Sequence, residues 1–146
     1  MKQLITFLAL IFIISGTTYG QVKFGAGLSL DDDADLGINA RAKLNLQDRL
    51  DLVPMFTYWI VDGGNAFSVD ALVNYHFADL GEMPIYGLGG LGITRFSSGD
   101  LSNSELSLSL GGGIIVKEQF YIETRWQNFF CDFCGSDLVF TGGYYF

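Results

Sequence analysis

The sequence predicts an all-β protein, an eight-stranded antiparallel up-and-down transmembrane β-barrel preceded by a cleaved signal peptide. Three observations support this prediction. The N-terminus has the pattern of an export signal. The rest of the chain alternates apolar and polar residues with a period of two, which is typical of strands. The polar face is made of small residues and charges of both signs, a composition that suits a narrow interior better than a water-facing coat.

In the N-terminal segment, Lys2 precedes an uncharged apolar run over residues 4–14, and small residues follow that run. This run is shorter than the ~20 apolar residues that a spanning helix needs. We therefore expect a signal peptide over residues 1–20, cleaved after Gly20, and one barrel domain over residues 21–146. The net charge of −8 argues against nucleic acid as a partner, because phosphates require a basic surface.

The first four predicted strands each place apolar residues on one face. In chain order, the outward residues are Val22, Phe24, Ala26, Leu28 and Leu30; Leu36, Ile38, Ala40, Ala42, Leu44 and Leu46; Leu50, Leu52, Phe56, Tyr58 and Ile60; and Phe67, Val69, Ala71, Val73, Tyr75 and Phe77. Pro54 interrupts the third strand locally.

The last four predicted strands follow the same rule. The fifth, residues 85–96, is glycine-rich, and we expect it to place Tyr86, Leu88, Thr94 and Phe96 outward because this puts Arg95 on the polar side. The others have outward residues Leu106, Leu108, Leu110, Ile114 and Val116; Phe120, Ile122, Thr124 and Trp126; and Leu138, Phe140, Tyr144 and Phe146. Each strand is expected to have about ten residues, which at ~3.3 Å each and a tilt of ~40° rise roughly 25 Å, the height of a barrel's apolar band.

The connections alternate in length along the chain. Residues 31–35, 61–65, 97–104 and 129–136 form longer polar or turn-forming breaks, whereas 47–49 and 118–119 are very short and 79–83 is intermediate. Bacterial outer-membrane barrels have short periplasmic turns and longer outer loops. The longer breaks are therefore predicted to face the cell exterior, with both termini at the periplasmic end.

The predicted polar face contains charges of both signs. Basic residues on the lipid face would cost about 2–4 kcal/mol each near the membrane midplane, but inside a lumen they can pair with acids. We expect a lumen ionic network formed by Lys23, Arg41, Lys43, Asp51, Asp70, Arg95, Glu123 and Arg125. The alternative is a soluble lipocalin-like barrel with the apolar face inside and an apolar ligand.

Aromatic residues are expected to form two belts at the membrane boundaries. The periplasmic belt would contain Tyr75, Phe77, Tyr86, Phe120, Tyr144 and Phe146, and the outer belt Tyr58, Trp59, Phe67, Phe96, Trp126 and Phe129.

The cysteines, Cys131 and Cys134, lie three positions apart. An exported chain meets oxidising conditions, so a local disulfide is expected. Free thiols are the next alternative, and a metal or redox site is the third. Two cysteines do not complete a four-ligand zinc site.

Taken over the whole mature chain, these features resemble the small eight-stranded outer-membrane barrels of the OmpA and OmpX kind, with their porin-like relatives in the Gram-negative cell envelope. The most specific feature is residues 140–146, where Phe140, Tyr144 and Phe146 are similar to the β-signal of that family. The resemblance implies that the barrel-assembly machinery recognises this strand. It also implies that members include membrane-stabilising proteins, adhesins and a few lipid-modifying enzymes.

We expect a non-enzymatic outer-membrane protein with a plugged polar lumen and a role in envelope integrity or surface interaction, with outer-membrane lipid as its surroundings and no identified surface partner. No residue is assigned to catalysis, a cofactor or a metal. The alternative is a lipid-modifying enzyme with His76 as base, but residues beside it offer no nucleophile. Residues 31–35 are expected to form a solvated acidic turn rather than a Ca²⁺ loop, because the glycine and distal glutamate of an EF-hand are missing.

Overall fold

The computed structural model describes residues 22–99, 101–130 and 135–146. The predicted signal peptide, residues 1–20, and the predicted Cys131–Cys134 disulfide lie outside the described residues. The described part forms eight strands: β1 Val22–Leu30, β2 Leu36–Gln47, β3 Leu50–Val61, β4 Gly64–Leu80, β5 Met83–Ser98, β6 Leu101–Val116, β7 Phe120–Phe129 and β8 Ser136–Tyr145. The described residues contain no helix long and apolar enough to cross a bilayer.

The eight strands form one closed antiparallel barrel in which each strand pairs with its sequence neighbours and β8 pairs with β1. The predicted fold is therefore confirmed. Closure gives every strand a hydrogen-bonded neighbour on both sides, as a sheet in hydrocarbon requires. Two irregularities interrupt the register, between Asn45 and Gln47 in β2 and between His76 and Ala78 in β4.

Apolar side chains face outward over the whole barrel, and the interior holds the charged and polar side chains together with buried apolar and aromatic ones. Exposed outward residues include Phe24, Ile38, Val69, Leu110 and Ile122. Buried inward residues include Arg41, Asp70, Glu123 and Arg125. This orientation is the reverse of that of a soluble carrier barrel, whose apolar residues line the interior.

The strand β5 faces the opposite way from our prediction, which was wrong. Tyr86, Leu88 and Thr94 are buried in the lumen, whereas Leu91 and Ile93 are each 54% exposed on the outside. The prediction rests on an inward position for Arg95. Arg95 is instead exposed, near the end of the strand, where a basic side chain costs little because the penalty falls towards the membrane interface. The two large aliphatic side chains therefore determine the facing.

Five strands are longer than the predicted ten residues: β2 and β3 have 12 residues each, β4 has 17, and β5 and β6 have 16 each. The break predicted over residues 97–104 is largely paired strand, with Ser97 opposite Ser102 and Ser98 opposite Leu101. The break predicted over 61–65 shrinks to a two-residue turn in which Gly63 has a φ of 79°. A left-handed residue of this kind suits a tight hairpin turn, and glycine adopts it without strain.

We call the end of the barrel that carries residues 22 and 146 the inner mouth. The opposite end, which carries residues 31–35 and 62–63, is the outer mouth. These names follow the predicted orientation, with the termini on the periplasmic side.

Candidate functional site

The centre of the lumen is crossed by an ion pair between Arg41 on β2 and Glu123 on β7. Arg41 donates from Nη1 to Glu123 Oε2 and from Nη2 to Glu123 Oε1, both at 2.9 Å. Both side chains are 0% exposed. Around the barrel, β1 and β8 lie between these two strands. The pair therefore spans the lumen, and its two parallel hydrogen bonds fix both side chains in one geometry.

Three tyrosines surround this ion pair. The Tyr86 hydroxyl donates to Glu123 Oε2 at 2.9 Å, and the guanidinium of Arg41 lies 3.9 Å from the centroid of the Tyr121 ring. Tyr145 packs against Tyr121 with ring centroids 4.9 Å apart. All three rings are buried. Together with Arg41 and Glu123 they form the central plug, the name used below for these five residues.

Inward-facing glycines provide the space for these large side chains. A Cβ added at Gly27 or Gly143 would meet the hydroxyl of Tyr121, and one added at Gly113 would lie 2.6 Å from the hydroxyl of Tyr86. A Cβ added at Gly25 would lie 2.8 Å from the Tyr145 ring. Large and small residues therefore alternate around the lumen, as a narrow eight-stranded interior requires.

A second buried pair joins Arg125 on β7 and Asp70 on β4, with Arg125 Nη2 and Asp70 Oδ2 3.8 Å apart. The Ser68 hydroxyl donates to Asp70 Oδ2 at 3.1 Å. Neither Nη atom of Arg125 makes a hydrogen bond with a described residue. This second pair is therefore held by charge attraction, whereas two parallel hydrogen bonds join Arg41 to Glu123.

At the inner mouth, Asp51 is the centre of a third cluster. Its Oδ2 lies 2.6 Å from His76 Nε2 and 3.6 Å from Lys43 Nζ, and its Oδ1 accepts a hydrogen bond from Asn45 Nδ2 at 3.1 Å. A cavity of about 310 Å³ opens beside this cluster. Asp51 is thus well partnered, and the imidazole of His76 is held in place by the contact.

The charged residues that line the cavity at the outer mouth are all acidic. A cavity of about 130 Å³ has Asp31, Asp33, Asp35 and Asp137 at its lining. Asp31 organises its loop, since its Oδ1 accepts the backbone N–H of Asp35 at 2.8 Å. Partial burial raises the pKa of the Asp31 carboxyl above its ordinary value, the Asp35 N–H opposes that rise, and the neighbouring carboxylates add to it.

The structure resolves the predicted lumen network into three direct ion pairs, and contacts of His76 with the Tyr86 ring and of Lys43 with the Tyr145 ring join the inner-mouth cluster to the central plug. Arg41 is brought to Glu123, Asp70 to Arg125, and Lys43 to Asp51. Arg95 does not belong to the lumen at all: it is exposed, and its Nη2 lies 3.4 Å from Ser102 Oγ. Lys23 is half-buried, lies opposite Lys43 in the β1–β2 register, and makes no ion pair with any described residue.

The sequence analysis did not identify His76 as a partner of Asp51. It also did not place Tyr86 and Tyr121 in the central plug. The signal for the tyrosines was present: Tyr86 lies opposite Gly113 and Tyr121 opposite Gly143 in neighbouring strands. A large residue beside a glycine on the same face predicts a side chain that occupies the space the glycine leaves.

The predicted aromatic belts are partly wrong. Tyr86 and Trp59 are buried in the lumen, and Phe96 and Phe129 line the outer-mouth cavity. The outward aromatics that fit the prediction are Tyr58, Phe67, Trp126, Tyr75, Phe77, Phe120 and Phe146, all of them exposed. Along the C-terminal strand, Phe140, Tyr144 and Phe146 point outward, and Tyr144 packs edge-on against Phe120 with centroids 5.0 Å apart.

Neither metal nor nucleophilic chemistry has a clear centre in the part of the chain that the structure describes. No group of three His, Cys, Asp or Glu side chains there is placed to hold a metal ion. The side-chain partner of His76 is the carboxylate of Asp51, and no described serine or threonine hydroxyl bonds to its ring. A histidine paired with a carboxylate but not with a nucleophile lacks one of the three groups needed for acyl transfer.

No family model matches the sequence, and no curated protein matches it either. The fold is similar to solved structures of outer-membrane barrels. The N-terminal β-barrel domain of Pseudomonas aeruginosa OprF matches with a TM-score of 0.59 at 19% identity, over 87% of this chain and 99% of that one. The outer membrane enzyme PagL matches with a TM-score of 0.59 at 14% identity, over 84% and 97%.

A third similar structure is Ail, the attachment invasion locus protein of Yersinia pestis. In its complex with the heparin analogue sucrose octasulfate it matches with a TM-score of 0.55 at 18% identity, over 87% of this chain and 99% of that one. These likenesses confirm the predicted resemblance to small eight-stranded outer-membrane barrels. At such identities they show the fold alone, and they include both an enzyme and an attachment protein.

Proposed function

We propose that this chain is an integral outer-membrane β-barrel without enzymatic activity, which contributes to envelope integrity or surface interaction and does not conduct solutes. The outward apolar surface supports placement in lipid, because such a surface in water would carry a large free-energy cost. The resemblance of the fold to outer-membrane barrels supports the choice of membrane. We further propose that residues 1–20 direct export.

The observation that carries the proposal of a sealed lumen is the bidentate Arg41–Glu123 pair, whose side chains are 0% exposed. An open aqueous pore would leave these groups in contact with water. An eight-stranded barrel has an interior just wide enough for side chains to fill. The central plug is therefore expected to block ions as well as larger solutes.

The test is conductance in planar lipid bilayers. Refolded protein should give no steady open-channel current, although its heat-modifiable mobility on a gel shows that it is folded. A large and steady single-channel conductance from the folded species would overturn the sealed lumen. Trimeric porins provide the positive control for the bilayer itself.

A lipid-modifying enzyme is the second candidate, favoured by the His76–Asp51 contact of 2.6 Å and by the similarity of the fold to PagL. Mass spectrometry of lipid A from cells with and without the protein distinguishes the two. We expect the same acylation pattern in both. A changed pattern that is restored by the native chain but not by His76→Ala would replace our proposal with the enzymatic one.

For assembly, we propose that the outward aromatic residues of β8, namely Phe140, Tyr144 and Phe146, are recognised by the barrel-assembly machinery. Deleting Phe146 should reduce the amount of folded barrel in the outer membrane without reducing synthesis. Equal amounts of folded protein with and without Phe146 would count against this role.

A further inference from the structure

The outer-mouth cavity combines aromatic walls with an acidic rim. Its volume is about 130 Å³, close to the ~150 Å³ of an engineered cavity that holds benzene. Trp59 of β3 lies in its lining, as do Phe96 of β5 and Phe129 of β7, whose ring centroids are 6.2 Å apart. The cavity can therefore hold a group of several heavy atoms beside these aromatic rings.

The rim of this cavity carries carboxylates that no described basic side chain neutralises. Asp33 and Asp35 come from the β1–β2 connection, and Asp137 comes from β8, where it lies opposite Gln127. None of these three forms an ion pair within residues 22–99, 101–130 and 135–146. The field at the cavity is thus negative, and it attracts a cation.

The floor adds two buried polar side chains, Thr94 and Gln127. Thr94 is 3% exposed, and its buried Oγ1 makes no hydrogen bond with a described residue. Gln127 is also 3% exposed; its Nε2 donates to Ser107 Oγ at 2.9 Å, and the described residues give its Oε1 no donor. The cavity therefore offers carboxylates at its rim and the amide oxygen of Gln127 at its floor as acceptors, and a complementary ligand must donate hydrogen bonds as well as carry positive charge.

A guanidinium group satisfies these requirements together. It is planar, stacks on aromatic rings, and presents five N–H donors that match carboxylates. The chain already holds one guanidinium this way, since Arg41 lies between the Glu123 carboxylate and the Tyr121 ring. A metal ion fits less well, because aromatic walls supply no ligands and no described acidic group has the arrangement of a metal site.

We propose that the outer-mouth cavity is a binding site for a guanidinium group, supplied either by a small free molecule or by an arginine side chain of a partner protein. This goes beyond the proposed function. It rests on that function only for the exposure of the outer mouth to the cell exterior, and binding in detergent micelles tests the site independently.

The test uses the fluorescence of Trp59, made the only tryptophan by the background substitution Trp126→Phe on the lipid-facing side. Ethylguanidinium should change the Trp59 emission saturably. Ethylurea has the same shape without the charge, and it should bind at least tenfold more weakly. An equal response to both compounds, or no saturable response to ethylguanidinium, overturns the proposal without relying on any variant of the site.

Removing two rim charges sharpens the test. The double variant Asp35→Asn/Asp137→Asn should weaken ethylguanidinium binding about tenfold, because each removes a charge-assisted contact. The matched control is Asp62→Asn, which removes an exposed carboxylate from the neighbouring outer turn and should leave binding unchanged. Equal weakening in both variants would mean a general surface potential instead of a site. Heat-modifiable gel mobility checks that each variant is folded.

The source of the guanidinium is decided by comparing ethylguanidinium with the tripeptide Gly-Arg-Gly in the same titration. Binding of the tripeptide at least tenfold tighter than that of ethylguanidinium supports a partner's arginine side chain. Equal or weaker binding of the tripeptide supports a small free cation.

Discussion

The lumen centre and the outer mouth handle their carboxylates in opposite ways. Glu123 in the centre accepts two N–H bonds from Arg41 and one O–H bond from Tyr86. Asp35 and Asp137 at the outer mouth have no described basic partner. A charge removed from water must be paired to be tolerated, whereas at the mouth water screens the repulsion. The comparison indicates that charge pairing closes the centre of the lumen, whereas the outer mouth keeps carboxylates that a ligand can bind.

The largest expected effect comes from breaking the central pair. Arg41→Met leaves the buried Glu123 carboxylate without its charge partner and should lower the free energy of unfolding by about 3–5 kcal/mol. The measurement is urea unfolding in lipid vesicles, followed by tryptophan fluorescence. Arg95→Met is the matched control, because Arg95 is exposed on the outside, and its change should stay within about 0.5 kcal/mol.

If Arg41→Met and Arg95→Met lowered the free energy of unfolding equally, the charge pairing at the lumen centre would not be more important for stability than an exposed charge outside. The double variant Arg41→Met/Glu123→Met adds a further check, since replacing both charges removes the unpaired one. It should recover part of the stability lost in the single variant.

A smaller effect is expected from filling the space beside Tyr121. The Cβ of Gly143→Ala would meet the Tyr121 hydroxyl and ring and the backbone oxygen of Ala26, so we expect a loss of about 1–3 kcal/mol from overpacking. Gly142→Ala is the control, because its Cβ would have its nearest neighbour at 3.9 Å, the Tyr121 backbone oxygen. The two variants are compared by the same unfolding measurement. A harmless Gly143→Ala would show that the central plug is not tightly packed.

The smallest effect concerns the acidic mouth. Asp35→Asn should lower the pKa of the Asp31 carboxyl, measured by carbon NMR, because it removes a neighbouring negative charge but keeps the backbone N–H that Asp31 accepts. Asp62→Asn should leave the pKa of Asp31 unchanged.

The sign of the stability change follows from the direction of that pKa shift. A carboxyl whose folded-state pKa is raised destabilises the fold at pH values above that pKa, and the destabilisation disappears as pH falls below its ordinary value, 3.8 for Asp31. Asp35→Asn should therefore stabilise the barrel at pH 7, by less than about 1 kcal/mol. This gain should shrink as the pH approaches about 3. A gain that is independent of pH would contradict repulsion as its cause.

The strand count, the closure and the facing of seven strands were predictable, because period-two alternation over many residues determines which side chains share a face. The facing of β5 was not, since its glycines dilute the alternation and a single charge, Arg95, was given more weight than Leu91 and Ile93. Glycine-rich strands should be oriented by their largest aliphatic residues rather than by a charge near their end.

The site was predictable in composition but not in arrangement. Alternation put Arg41, Glu123, Asp70 and Arg125 on the inward face, but it carries no information about which strands lie across the lumen from each other. That depends on the barrel's closure and on the stagger between strands. The outer-mouth cavity was missed because Trp59, Phe96 and Phe129 were assigned to a lipid-facing belt, although Trp59 lay on the polar face in the predicted alternation.

The position of the Arg41–Glu123 pair affects the order in which contacts form during folding. The partners are 82 positions apart, and the β1–β8 seam lies between their strands. Contacts over such a sequence separation form late, because the intervening chain must be ordered first. While β1 and β8 are unpaired, both charged groups remain hydrated, and pairing of the two strands brings these groups together. Closing the barrel and pairing the two charges at its centre are then a single event, and an open intermediate lacks both this ion pair and the hydrogen bonds between β1 and β8.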